Sequence, residues 1–164
     1  MNPGLLAQLR RNPKATVHLQ ESPKMTSSHG PDPETLHGSP FVAGQRWIDQ
    51  AAPGLDGSRL ILGAIVTFEG GRIYCCSITH AGRQLADGGL ERVHIPFLPL
   101  TEAALLDTVV ALDGTGNLPP SFAARLQDWT DDPRGMSTFT VPFDGYLDHL
   151  ISLQVETIAG GRAA

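Results

Sequence analysis

The segment Tyr74-Cys75-Cys76-Ser77-Ile78-Thr79-His80, with His94 downstream, gathers the residue types that carry the most chemistry in this chain. A thiol near a histidine suggests a nucleophile and its base. Two cysteines near histidines suggest metal ligands. Strand geometry argues against both uses within one strand. Neighbouring side chains on a strand point to opposite faces, so Cys75 and Cys76 cannot jointly grip one metal. Cys76 and His80 share a face but stand about 13 Å apart, four residues at roughly 3.3 Å each. What survives is a cross-strand partnership, in which His94 on the next strand approaches Cys75 or His80. His80 ends its strand beside a loop, where functional residues concentrate. The plainer expectation for Cys75 and Cys76 is a pair of reduced, buried, structural thiols on opposite sheet faces. No P-loop, dinucleotide-binding glycine motif, nucleophile elbow or HExxH helix is present, so neither a cofactor nor a metal site is expected.

These residues sit in the clearest local pattern of the chain. Arg59 to Phe68 and Arg72 to His80 are both β-rich, with Gly70-Gly71 between them. Two glycines accommodate the positive φ angles of a tight hairpin turn, which places Glu69 opposite Arg72. That register puts Leu62, Ala64, Val66 and Phe68 on the face of Ile73, Cys75 and Ser77. It leaves Ile61, Gly63 and Ile65 with Tyr74, Cys76 and Ile78. The first strand is apolar on both faces and reads as central and covered on both sides. Leu90 to Ile95 is a third strand, ended by Pro96. Thr101 caps a helix running to Leu112. Ser121 to Trp129 is a second helix, with Phe122, Leu126 and Trp129 on one side. Ser137 to Val141 is a fourth strand. A final helix begins at Asp144, with Leu147, Leu150, Ile151, Val155 and Ile158 as a core-facing stripe.

An offset of 46 residues aligns two segments without a gap. Ile95-Pro96-Phe97 matches Val141-Pro142-Phe143, Leu105 matches Ile151, Val109 matches Val155, and Gly114 matches Gly160. Each unit reads as strand, Pro-Phe stop, helix and terminal glycine. The expected fold is therefore α+β: a mixed four- to five-stranded sheet with a β-hairpin (59–80) and two strand–Pro-Phe–helix units (89–114 and 135–160), helices packed on the sheet. If the two unit strands run parallel, their loops fall at one sheet edge. Leu98, Thr101, Asp144 and Tyr146 then form a candidate ligand-binding edge.

The 164 residues suit one domain with a real hydrophobic core. Residues 41–160 form that domain. Residues 1–40, broken by Pro3, Pro13, Pro23, Pro31, Pro33 and Pro40, read as a largely disordered arm, and 161–164 as a disordered tail. Translation from Met25 fits as well as from Met1. Net charge is −5, and Arg10, Arg11, Lys14 and Lys24 lie in the arm, so the domain itself is the more acidic part. An acidic domain makes a poor partner for nucleic acid or an anionic membrane. Adjacent cysteines and the lack of a secretory segment point to the cytoplasm. The preference for Arg over Lys, with abundant Ala, Gly and Pro, points to a bacterial source. The leading functional expectation is a non-catalytic protein-binding or regulatory module, paired with another protein, itself as a homodimer, or both. The alternative is a small enzyme using His80, His94 and a thiol from Cys75 or Cys76.

Overall fold

The computed structural model describes Thr16–Leu19 and Gly161 as backbone, and residues 39–50 and 54–160 in full. In chain order the elements are β1 (Thr16–Leu19), β2 (Gln45–Asp49), β3 (Arg59–Phe68), β4 (Gly71–Gln84), β5 (Leu90–Thr101), α1 (Glu102–Thr108), β6 (Val109–Thr115), α2 (Phe122–Thr130) and α3 (Leu147–Gly161). The class is α+β. The sheet runs β5-β4-β3-β2-β6, with β1 as a further strand on β3. Among the described residues every strand pairing is antiparallel, so the sheet is not the mixed one expected. Parallel contacts occur among the described residues as isolated bridges, Gly82 with Tyr146 and Leu100 with Phe139. β1 lies inside the segment expected to be an unstructured arm; it pairs with Ala64–Thr67, while β2 takes Arg59–Ile61 on the same edge of β3. The rest of 1–38, and 162–164, lie outside the described residues.

β3 is central because its Leu-Ile-Leu-Gly-Ala-Ile-Val run is apolar on both faces and helices cover both. Its pairing with β4 is set by Phe68 opposite Gly71, so Glu69 and Gly70 form the turn and Gly70 takes φ +112°. Thr67, not Glu69, stands opposite Arg72. A slip of two residues keeps every side chain on its expected face. A bulge at Gly63 does not. Leu62 pairs with Cys76 and Ala64 with Cys75, leaving Gly63 as the extra residue. Leu60 and Leu62 therefore join the Tyr74, Cys76 and Ile78 face, and Ile61 moves to the other. Glycine is required there: a Cβ would lie 2.4 Å from Phe122 Cζ and 2.8 Å from Leu118 Cδ2.

Two apolar clusters result, one on each face. Leu60, Leu62, Tyr74, Cys76, Ile78, Leu105, Phe143 and Leu150 pack beneath α1 and the start of α3. Ala64, Val66, Ile73, Cys75, Phe122, Leu126 and Trp129 pack beneath α2.

β5 continues through Pro96 to Thr101 rather than stopping at Ile95. Ile95 pairs with Ile78 and Leu98 with Cys76, so Pro96 and Phe97 together oppose Ser77. A proline in such a bulge removes no ladder hydrogen bond. Thr101 does cap α1, its Oγ1 accepting from the Ala104 N–H at 3.3 Å. α1 stops at Thr108, because the β-branched pair Val109-Val110 starts β6 on the open edge of β2. The two 46-residue-offset units are thus not equivalent. Phe97 packs against Phe122 and Trp129 on one face, while Phe143 is buried in the cluster on the other. Residues 135–141 form no strand beyond the isolated bridge at Phe139, and Leu105 is buried where Ile151 is exposed.

Candidate functional site

Cys75 and Cys76 are both fully buried, on opposite sheet faces. Burial pushes both thiols well above their ordinary pKa, and Cys76 is raised further by its neighbour. The Cys76 Sγ–H is committed to the Tyr74 carbonyl at 3.6 Å. A protonated, enclosed thiol is neither a nucleophile nor a metal ligand. We expect no reaction of either thiol with an aromatic disulfide reagent in the native protein at neutral pH, and two equivalents in denaturant. A Cys75→Ala, Cys76→Ala variant should lose about 1–2 kcal/mol through the small cavities left.

The histidines do not meet these thiols. His94 is exposed, and its Nε2 hydrogen-bonds Ser77 Oγ at 3.2 Å. Thr79 and His80 both oppose His94, because Ile78 pairs with Ile95 and Ala81 with Val93. This bulge of β4 holds His80 at φ +56°, a left-handed conformation that a non-glycine residue seldom takes. The Ser77–His94 pair resembles a nucleophile and its base, but Ser77 is fully enclosed and no substrate atom reaches it.

On the Ser77 face, beyond α2, the sheet carries a polar band. The Arg59 N–H donates to Thr79 Oγ1 at 3.1 Å. The Nε–H groups of Arg59 and Arg46 both donate to Asp113 Oδ2, at 2.8 and 3.0 Å. The Arg59 guanidinium, aided by that of Arg46, holds the Asp113 carboxyl below the usual aspartate range. Such a band is what a sheet face left partly to solvent carries. Among the described residues, no group of three or more His, Cys, Asp or Glu side chains is placed to hold a metal ion.

The candidate ligand edge comes apart. Leu98 is buried in the core and Thr101 is the α1 cap, opposite Ile73 on β4. Asp144 Oδ1 accepts the Tyr146 N–H at 3.1 Å, its Oδ2 bonds His149 Nδ1 at 2.9 Å, and Tyr146 lies beside Gly82 of β4. Leu98 and Thr101 oppose Cys76 and Ile73, so the two halves of the proposed edge sit roughly 20–30 Å from each other along one strand.

Two features escape a reading of the sequence. Asp49 is only 3% exposed and bonds Ser58; an acidic residue near the end of a strand carries no local signal of burial. The other is the outward apolar side of α3. Leu150 is buried and Leu147 half-buried, but Ile151 is 48% exposed, Val155 59% and Ile158 58%. The expected core-facing stripe is core-facing for its first turn only. Asp148 Oδ2 anchors the start by accepting the Gln84 N–H at 2.7 Å, and Gln154 Oε1 accepts the Thr140 N–H at 2.9 Å. Beyond Gln154 every residue of the helix to Gly160 is exposed. The chain matches no family model, no curated protein and no solved structure.

Proposed function

We propose that this chain is a non-catalytic protein-binding module that docks through α3, and that its partner is another protein or a second copy of itself. The observation that supports this reading is the apolar side of α3, with Ile151, Val155 and Ile158 each about half exposed or more. An amphipathic helix showing anchors at i, i+4 and i+7 is suited to a hydrophobic groove. Contiguous apolar surface of this kind marks interaction sites in soluble proteins. The enclosed thiols and enclosed Ser77 weigh against the alternative of a thiol- or histidine-dependent enzyme. A bacterial cytoplasmic setting is part of the proposal; it rests on residue usage and on two unpaired cysteines. No helix among the described residues is long and apolar enough to cross a membrane.

The test compares the full chain with an Ile151→Glu, Ile158→Glu variant. Both positions are solvent-facing, so the variant should keep the parent's circular dichroism spectrum. Sedimentation equilibrium of the parent is expected to show a concentration-dependent dimer, or a reconstituted complex with a purified partner. The variant should weaken either by more than about tenfold, or 1.4 kcal/mol. Association that persists in the variant, or no association of the parent with itself or any partner, would overturn the proposal.

A further inference from the structure

Ser58 sits between two oxygens. Its Oγ lies 2.8 Å from Asp49 Oδ2 and 2.8 Å from the Thr79 carbonyl oxygen. A serine hydroxyl has a single proton to donate. The Thr79 carbonyl can only accept. If Asp49 is a carboxylate, it too can only accept, and one of these two short contacts then sets lone pair against lone pair. A proton on Asp49 removes the conflict: the carboxyl O–H donates to Ser58 Oγ, and Ser58 donates to Thr79.

Burial leads to the same place. Asp49 is 3% exposed, and its Oδ1 is buried with no hydrogen-bond partner among the described residues. A charged oxygen left so costs far more than a neutral carbonyl oxygen. The groups facing the carboxyl from each neighbouring element do not offset this. From β3, the Arg59 guanidinium acts at a distance, its Nε–H being committed to Asp113 and one terminal nitrogen to the Ser58 carbonyl. From β4 come Thr79 and the exposed His80, whose Nδ1 lies near Gly57. β6 brings the uncharged Val109 opposite Asp49, and the end of α1 brings the carbonyls of Asp107 and Thr108, both occupied by Gln50. Burial raises the Asp49 pKa above its ordinary value, against smaller opposing effects from Ser58, its own backbone N–H and Arg59.

We propose that the fold holds on Asp49 a proton that the unfolded chain has given up, and that the chain Asp49–Ser58–Thr79 is a proton-dependent latch joining the end of β2, through Ser58, to the bulge of β4. Losing the proton puts a charge into this enclosed site and breaks the relay. The hold of the end of β2 on Ser58, and through Ser58 on the bulge of β4 beside His80, is then lost.

The sign of the pH dependence follows from linkage. The folded state holds a proton that the unfolded chain gives up near the ordinary aspartate value of 3.8. The latch therefore stabilises fully below that pH and is lost as pH rises through the higher folded value. The substitution Asp49→Asn mimics the neutral acid, since the amide N–H it introduces donates to Ser58 Oγ at every pH. Melting temperatures of the full chain and of Asp49→Asn should diverge as pH rises, the parent falling relative to the variant by at least about 2 °C before levelling. The parent also gives a direct readout that needs no variant. The Asp49 carboxyl carbon, followed by NMR, should titrate above the ordinary aspartate value. A carboxyl that titrates at or below the ordinary value, or a parent that gains on Asp49→Asn as pH rises, would show an ionised Asp49 accepting from Ser58 and would overturn the latch.

Discussion

Phe143→Ala is expected to destabilise the protein by about 3–5 kcal/mol, the usual cost of removing a buried aromatic ring. The ring is completely enclosed in the cluster with Leu105 and Leu150, where α1 and the start of α3 meet the sheet. Its backbone is held as well, the Phe143 N–H donating to Thr108 Oγ1 at 2.9 Å. Thr108 in turn donates to the Ala104 carbonyl at 2.7 Å, so this one side chain ends α1 and anchors the approach to α3. Truncation opens a cavity under both helices and loosens the seat of Leu150, the one fully buried residue of α3 among those described. Domains of ordinary stability, about 5–15 kcal/mol, survive one such loss narrowly. Urea unfolding of parent and variant measures it. A cost below about 1 kcal/mol would mean that the ring is not packed as described.

Trp129→Ala should cost about the same, roughly 3–5 kcal/mol, through the opposite face. Trp129 is the last buried anchor of α2, its ring 5.8 Å from that of Phe97, and its Nε1–H donates to the Ser137 carbonyl at 2.6 Å. The substitution removes both the ring and the donor. Trp129→Phe separates the two, keeping most of the contact and losing the hydrogen bond, for about 1–3 kcal/mol. The cluster beneath α2 shares no residue with that around Phe143. Costs at independent sites add within about 0.5 kcal/mol, so the double variant should be unfolded or nearly so at about 25 °C. Circular dichroism of the double variant reads this directly. Native-like stability would mean that the two faces are coupled, and that one relaxes to rescue the other.

Local chemistry makes several elements legible. Thr101 reads as a helix cap because a hydroxyl before an apolar helical run takes an orphan N–H, and it does so here. Phe122, Leu126 and Trp129 read as one buried side of a helix from their spacing alone, and all three are buried. Val109 and Val110 are less readable: their apolar spacing continues that of Leu105, so the segment looks helical. Only the open edge of β2 makes it a strand. The apolar stripe of α3 is equally regular throughout. Periodicity tells which side of a helix is apolar, never whether something lies against it, and past Gln154 nothing among the described residues does.

What the sequence determined by itself is what depends on neighbours in the chain. Alternation along a strand sends Cys75 and Cys76 to opposite faces, whatever the register of the hairpin. What tertiary structure alone decided depends on residues far apart. Gly63 becomes a bulge because Phe122 and Leu118 close over it, and that bulge moves Leu60 and Leu62 to the other core. Asp49 of β2 meets Ser58, which reaches the Thr79 carbonyl of β4, and no pattern local to Asp49 announces a buried carboxyl. Burial and proton position are properties of the assembled site, because the dielectric surroundings and partner oxygens that set them come from segments that meet only on folding.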